Sequence, residues 1–394
     1  MLRSFIPLIV MLAIQSLTAL AMVAVPVLAP SAAPDIGVPV TFTGLFIGVV
    51  FLGAMWATLL SGSLVRRFGA IRVSQAALLA CAAGLLLLLI GSPWLLMVSA
   101  VLIGFGYGPI TPASSHILMR TTPAHLMSLM FSIKQTGVPL GAMLAGLVLP
   151  PVMVGFGWRG GALGVAVSCI TVALLAESTR RQLDTDAEPG VALSLQSVGA
   201  PLKLVWSVPS LRLLVISSFF FSATQVSLTT FLLPYLTSHM ALPLISAGLI
   251  FSTAQGAGVT GRILWGYLAD RRVAPPIMLG GLALAGAGAS IVAAIIAPSS
   301  GLVVLMCLFM LYGAVAIGWN GVFLAAVARA APAGRAGMAT GGSLAITFFG
   351  AVIGAPAFGL LAQWSASYGV GFIAFSGLSA LCGVALIRKR NSFL

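Results

Sequence analysis

Lys134 and Arg262 are the two basic residues, out of nineteen, that fall deep inside long apolar segments, and none of the six acidic residues lies there to neutralise them. An ionisable side chain at a bilayer centre costs at least about 2.5 kcal/mol, so such residues normally face a cavity and mark a substrate or ion path. Arginine can grip a carboxylate through two parallel N–H donors, and lysine adds a point charge. The chemistry expected of the pair is therefore capture of a small organic anion, a carboxylate or similar oxyanion.

Other polar residues sit in the same apolar stretches. Gln255 precedes Arg262 by seven residues and so shares its helix face. Gln15 with Thr18, Gln225 with Thr229, Tyr107, and the pair Trp319 and Asn320 complete a candidate polar lining; the alternative for each is a hydrogen bond that packs helices in lipid. His116 stands four residues before Arg120, as an interfacial histidine or a candidate proton site. Cys81, Cys169, Cys307 and Cys382 occur singly, without disulfide or metal-ligand spacing, and no His/Asp/Glu/Cys cluster suggests an enzyme. Neither a cofactor nor a metal is implied.

The elements that must position these residues are membrane helices. Hydrophobic residues make up 60% of the chain and charged ones 6%. Apolar runs of roughly 20 residues recur throughout. Twelve spans are expected near 4–28, 42–64, 73–92, 95–119, 126–150, 159–177, 212–236, 244–267, 276–297, 301–328, 337–362 and 370–388. With both termini in the cytoplasm, sixteen Lys/Arg are cytoplasmic, Arg159 is outside, and Lys134 and Arg262 are in the membrane, which satisfies the positive-inside rule. The net charge of +13 then reflects loop anchors, and no nucleic-acid partner is expected. Residues 1–33 carry Arg3 before an apolar stretch, as a secretory signal does, but the stretch is too long and contains Gln15 and Thr18.

The chain repeats itself. Gly44, Gly62 and Arg67 recur as Gly248, Gly266 and Arg271 at an offset of 204. Gly104, Arg120 and Pro123 recur as Gly313, Arg329 and Pro332 at 209, and Gly137, Gly141 and Gly146 as Gly350, Gly354 and Gly359 at 213. Two six-helix halves follow, 1–177 and 212–394, joined by a polar cytoplasmic linker at 178–211 that holds Asp184, Asp186 and Glu188. A parallel repeat of six spans places a substrate site near the midplane between the halves.

Here a resemblance enters. Gly62-Ser63-Leu64-Val65-Arg66-Arg67 and Gly266-Tyr267-Leu268-Ala269-Asp270-Arg271 resemble the two copies of the loop signature of the major facilitator superfamily. The resemblance implies an all-α membrane fold of twelve helices and transport by alternating access. It also implies that the loop aspartate caps a helix of the opposite half, here the start of span 5 near Pro123 to His125, because a carboxylate is favoured at a helix N-terminus. In the first copy Arg66 stands where that aspartate belongs. Arg262, four residues before Gly266, is similar to the substrate arginine of monocarboxylate-type porters, although their acid one turn earlier is Gly258 here. An embedded Lys and Arg also resembles oxalate-formate-type exchangers, where the Lys lies in another span.

Lys134 is nine residues past His125 and Arg262 eight before Asp270. At 1.5 Å per residue both lie about 12–14 Å from one membrane face. The family's arrangement makes spans 5 and 8 neighbours. With no embedded carboxylate to carry a proton, exchange or symport of a small organic anion is expected, in a bacterial inner membrane, by a monomer. The alternative is a proton-coupled multidrug exporter, suggested by Gly137-x-Pro139-x-Gly141 but lacking the embedded acid that exporters of cations use. For Lys134 the alternative is a stem that reaches water without touching substrate, and for Arg262 it is snorkelling toward the cytoplasm or pinning a gate by bonding helix-end carbonyls.

Overall fold

The computed structural model describes residues 2–123, 127–193, 199–332 and 335–390. Among these there is no strand. The helices are α1 Leu2–Ile36, α2 Thr43–Phe68, α3 Ala70–Leu88, α4 Pro93–Tyr107, α5 Ile110–Thr121, α6 Met127–Gln135, α7 Gly137–Leu183, α8 Gly199–Ser207, α9 Pro209–Pro234, α10 Leu244–Arg271, α11 Pro275–Ile295, α12 Leu302–Gly318, α13 Asn320–Ala330, α14 Ala336–Ser365 and α15 Tyr368–Arg388.

Ten stretches are long and apolar enough to cross a bilayer. One of them, Ile133–Leu183, supplies two passes because α7 bends at Gly157, whose φ of 70° and ψ of 174° suit only glycine. Helix α10 has 28 residues but carries Ser252, Thr253, Gln255, Thr260 and Arg262, which is why it is less apolar than the others. These passes make twelve, and the chain is an all-α multi-pass membrane protein. Leu174, Val303 and Leu381 are 70%, 71% and 69% exposed, a surface that suits lipid and would aggregate in water.

Three expected spans are broken. The fourth is divided into α4 and α5 at Gly108-Pro109, and the tenth into α12 and α13 at Trp319. The fifth is divided at Thr136, next to Pro139, whose missing N–H cannot bond the carbonyl four residues back. Each break lies beside one of the candidate site residues: Tyr107, Asn320 and Lys134.

The contacts fall into two units, Met1–Val40 with Val49–Gln196, and Thr41–Gly48 with Ser197–Leu394. Within each, the sequence repeat is also a packing repeat. Gly104 lies against the carbonyl of Val50, and Gly313 against that of Ala254, so closely that a Cβ could not be added at either glycine. Val50 and Ala254 are themselves 204 apart. Gly108 meets Ala54 as Ile317 meets Gly258, and Gly141 meets Ala19 as Gly354 meets Ala223, each pair at the offsets of the repeat. At Gly104, Gly313, Gly141 and Gly354 the recurring glycines are positions where paired helices touch closely, backbone against backbone.

Candidate functional site

Each unit holds one of the two membrane-embedded cations, and the position equivalent to each in the other unit is a threonine. In the second unit Arg262, half-buried on α10, donates from Nε to the carbonyl of Ile317 at 3.2 Å, where α12 ends. The repeat positions of Arg262 and Ile317 are Thr58 and Gly108, and Thr58 Oγ1 donates to the Gly108 carbonyl at 3.0 Å. Tying the helix to the break thus needs only a hydroxyl. The guanidinium adds a positive charge that the hydroxyl lacks.

The same substitution runs the other way for Lys134. It lies on α6 in the first unit and is 1% exposed. Its Nζ donates to the carbonyl of Thr111 at 3.2 Å and to Ser115 Oγ at 3.4 Å. Among the described residues no carboxylate pairs with it. At the corresponding position of the second unit is Thr347, also buried, which donates to Ser218 Oγ at 2.9 Å and to the Ser343 carbonyl at 3.0 Å. Thr347 ties its helix to α9, whereas Lys134 ties α6 to α5, so the two positions correspond in sequence but make different bonds, and the ammonium adds a charge that the hydroxyl lacks.

Three further candidates form a network that shares an acceptor with Arg262. The Ile317 carbonyl that it bonds also accepts from Asn320 Nδ2 at 3.4 Å. Asn320 and Trp319 Nε1 both donate to Gln225 Oε1, at 3.0 and 2.9 Å. The break at Trp319 is what allows consecutive residues to reach one acceptor on α9. Gln255 is 2% exposed and donates to Thr229 Oγ1 at 3.2 Å, outside that network. In the first unit Gln15 is 2% exposed and its Oε1 has no partner among the described residues. Its Cβ and Cγ occupy space that a side chain at Gly137 would need. Tyr107 packs edge-on to Phe51 at 6.1 Å. The described contacts do not join Gln15 or Tyr107 to Lys134.

The loop signatures differ between units. Asp270 accepts from Arg329 at 2.7 Å within its own unit; the target expected from the family resemblance includes His125, which lies outside the described residues. Arg271 stacks on Tyr267 at 4.8 Å and Arg67 on Phe68 at 5.2 Å. Arg120 is the repeat counterpart of Arg329, and Arg66 that of Asp270, so the first loop has no carboxylate for Arg120. The chain supplies one from the segment after α7: Asp186 accepts from Arg120 and, at 2.6 Å, from His116 Nε2. Glu188 pairs with Arg66 at 3.2 Å, and Asp184 accepts the backbone N–H groups of Ile71 and Arg72 at 2.8 and 3.0 Å. His116 is thus part of an ionic clasp, a role the sequence reading missed; the signal for it was the acidic run 184–188 together with the missing loop aspartate.

Burial works to raise the Asp186 carboxyl, but the hydrogen bond from His116 and the positive groups beside it outweigh that and hold it below its ordinary value. A carboxyl depressed on folding stabilises the fold above its unfolded value, near pH 4, and loses that contribution as pH falls through the folded value. Asp186→Asn is accordingly expected to lower stability by roughly 1 kcal/mol at neutral pH, allowing for partial exposure of the cluster. The difference from wild type should shrink in melting curves recorded as the pH falls through that depressed value. A difference that persists undiminished there would show that charge is not what the clasp uses.

Among known proteins, the family described as Major Facilitator Superfamily matches residues 11–343. The gentisate transporter of Corynebacterium glutamicum is 26% identical over 369 residues, covering 89% of this chain and 78% of that protein. The gallate transporter of Pseudomonas putida is 26% identical over 299 residues, covering 66% of each. Among solved structures, a point mutant of the nucleoside transporter NupG superposes with a TM-score of 0.77 at 16% identity, covering 96% of this chain and 99% of that one. The peptide transporter POT in complex with sulfate gives 0.76 at 18% identity, covering 99% and 95%. These structures share the fold.

Proposed function

We propose that this chain, which belongs to the Major Facilitator Superfamily, moves a small aromatic carboxylate of the hydroxybenzoate kind across the membrane by alternating access. The observation that carries the proposal is that cations stand at the membrane-embedded positions 134 and 262 where the other unit has threonine, and that at Arg262 the threonine's hydroxyl already makes the same helix-to-helix bond. Desolvated cations of this kind mark substrate paths. Two transporters 26% identical to it are named for gentisate and gallate, both of which are carboxylates on hydroxylated rings.

In this reading Lys134 and Arg262 each bind the carboxylate, Arg262 being held in place by Ile317. Gln225, Trp319 and Asn320 present polar edges and an aromatic face to the ring and its hydroxyls, and Gln15, Gln255 and Tyr107 line the path. Residues 1–177 and 212–394 act as the two moving halves, 178–211 links them, and both termini lie in the cytoplasm of a bacterial cell. Moving a negative charge inward against the membrane potential costs about 2.3 kcal/mol per 100 mV, so transport proceeds by exchange or by symport with a proton.

The test is a melting screen of the purified protein against gentisate, gallate, benzoate, oxalate and tetraphenylphosphonium. A ligand of the folded state at one hundred times its Kd stabilises by about 2.7 kcal/mol. The aromatic carboxylates should raise the melting temperature, and labelled gentisate should enter preloaded proteoliposomes by counterflow in the presence of a protonophore. Stabilisation by the lipophilic cation alone would replace this reading with drug export.

A further inference from the structure

The two units treat their arginines differently. Of the six acidic residues, Asp35, Glu177, Asp184, Asp186 and Glu188 belong to the first unit and Asp270 alone to the second. In the first unit the segment after α7 closes over the basic ends of the helices. Glu177 pairs with Arg72 at 3.5 Å and Arg180 at 2.7 Å, Asp186 with Arg120, and Glu188 with Arg66 at 3.2 Å. The second unit carries ten Lys/Arg and has no acidic segment to do this.

The repeat positions of that clasp in the second unit surround a cavity of about 540 Å³ lined by Arg271, Arg272, Arg329 and Arg390, with Pro275 and Pro276 in its wall. That volume is in the range of small-molecule pockets. The unit's one carboxylate, Asp270, bonds Arg329, so four guanidinium groups share a single negative charge. Backbone groups cannot make up the deficit. In the first unit Asp184 reaches the N–H groups of Ile71 and Arg72 in space left open by Gly69, where an added Cβ would collide with the carboxylate. The counterparts of Gly69, Ile71 and Arg72 at offset 204 are Val273, Pro275 and Pro276, which close that space and remove both donors. The N–H groups of Ile277 and Met278 are already bonded to the Ala274 carbonyl. Whatever anion enters must be held by guanidinium groups, and their planar forks fit the oxygens of a phosphate group.

We propose that this arginine-lined cavity binds a phosphate-class oxyanion, which does for the second unit what the chain's own carboxylates do for the first. The phosphodiester of an anionic phospholipid and a soluble phosphate share this chemistry, and the experiment separates them. The full-length protein in neutral detergent is melted with increasing phosphatidylglycerol in mixed micelles, with phosphatidylcholine as control, and separately with inorganic phosphate against chloride at equal ionic strength. One or both phosphate probes should raise the melting temperature by several degrees. Response to phosphatidylglycerol alone identifies a lipid headgroup, and response to inorganic phosphate identifies a soluble ligand.

In the variant Arg271→Gln/Arg272→Gln/Arg390→Gln the concentration for half the effect should rise at least tenfold. Arg390→Gln alone, near the chain end, should raise it about threefold without lowering the starting melting temperature. Arg67→Gln/Arg181→Gln in the first unit, and Lys134→Met, should respond as wild type does. No shift with either probe, or an equal response in the second-unit and first-unit variants, would overturn the site and leave only general attraction to the basic surface.

Discussion

Arg262→Thr is expected to leave the fold standing and to abolish transport of the carboxylate. The substitution writes into the second unit the residue that the first unit carries at the same place, where Thr58 Oγ1 bonds the Gly108 carbonyl at 3.0 Å. The counterpart bond of Arg262 to Ile317 is 3.2 Å long, and a threonine there keeps a donor beside the same helix break. What disappears is the charge. Truncating one partner of a desolvated charge pair costs about 2–5 kcal/mol. At 1.4 kcal/mol per factor of ten, affinity for gentisate should fall by roughly thirtyfold to several thousandfold. Counterflow in proteoliposomes measures the loss, and melting in the absence of ligand should change by only a few degrees. Counterflow within threefold of wild type, in a variant that folds, would remove Arg262 from the substrate path and leave it as a tie between helices.

Lys134→Met should separate stability from function in opposite directions. The lysine is 1% exposed and has no carboxylate partner among the described residues. Replacing buried charge by an apolar side chain of similar volume is often neutral or stabilising, by about 1–4 kcal/mol. The groups it leaves behind are provided for, because the Thr111 carbonyl also accepts from Ser115 Oγ at 2.8 Å and Ser114 Oγ at 3.1 Å. The melting temperature of the variant without ligand should therefore hold or rise, while stabilisation by gentisate is lost. A variant that melts lower yet keeps its response to gentisate would show that Lys134 is part of the scaffold.

A good deal of this protein can be read from its residues in order. The apolar runs impose membrane helices, because an unbonded backbone in hydrocarbon is prohibitively costly and a helix satisfies its own. The recurrence of glycines at slowly growing offsets requires two like halves, and the structure makes Gly104, Gly313, Gly141 and Gly354 close backbone contacts between helices. Lys134 and Arg262 stand out in sequence because charge in an apolar run is expensive wherever the chain folds. Arg66 in place of an aspartate was visible as well, since it breaks a pattern that Asp270 keeps.

Tertiary structure decided the rest, because periodicity carries no information about which distant groups meet. The pairing of Asp186 with Arg120 and His116 joins residues about seventy positions apart, and nothing in their spacing specifies it. Trp319 and Asn320 read as a polar pair with no named partner, and only the break between α12 and α13 turns both onto Gln225. The cavity lined by Arg271, Arg272, Arg329 and Arg390 draws on three helix ends and reads in sequence as ordinary basic loops. Above all, the meaning of Arg262 depended on seeing what Thr58 does. A repeat in sequence says that positions correspond, but only packed coordinates show which bond each position must make, and therefore what a charge adds beyond it.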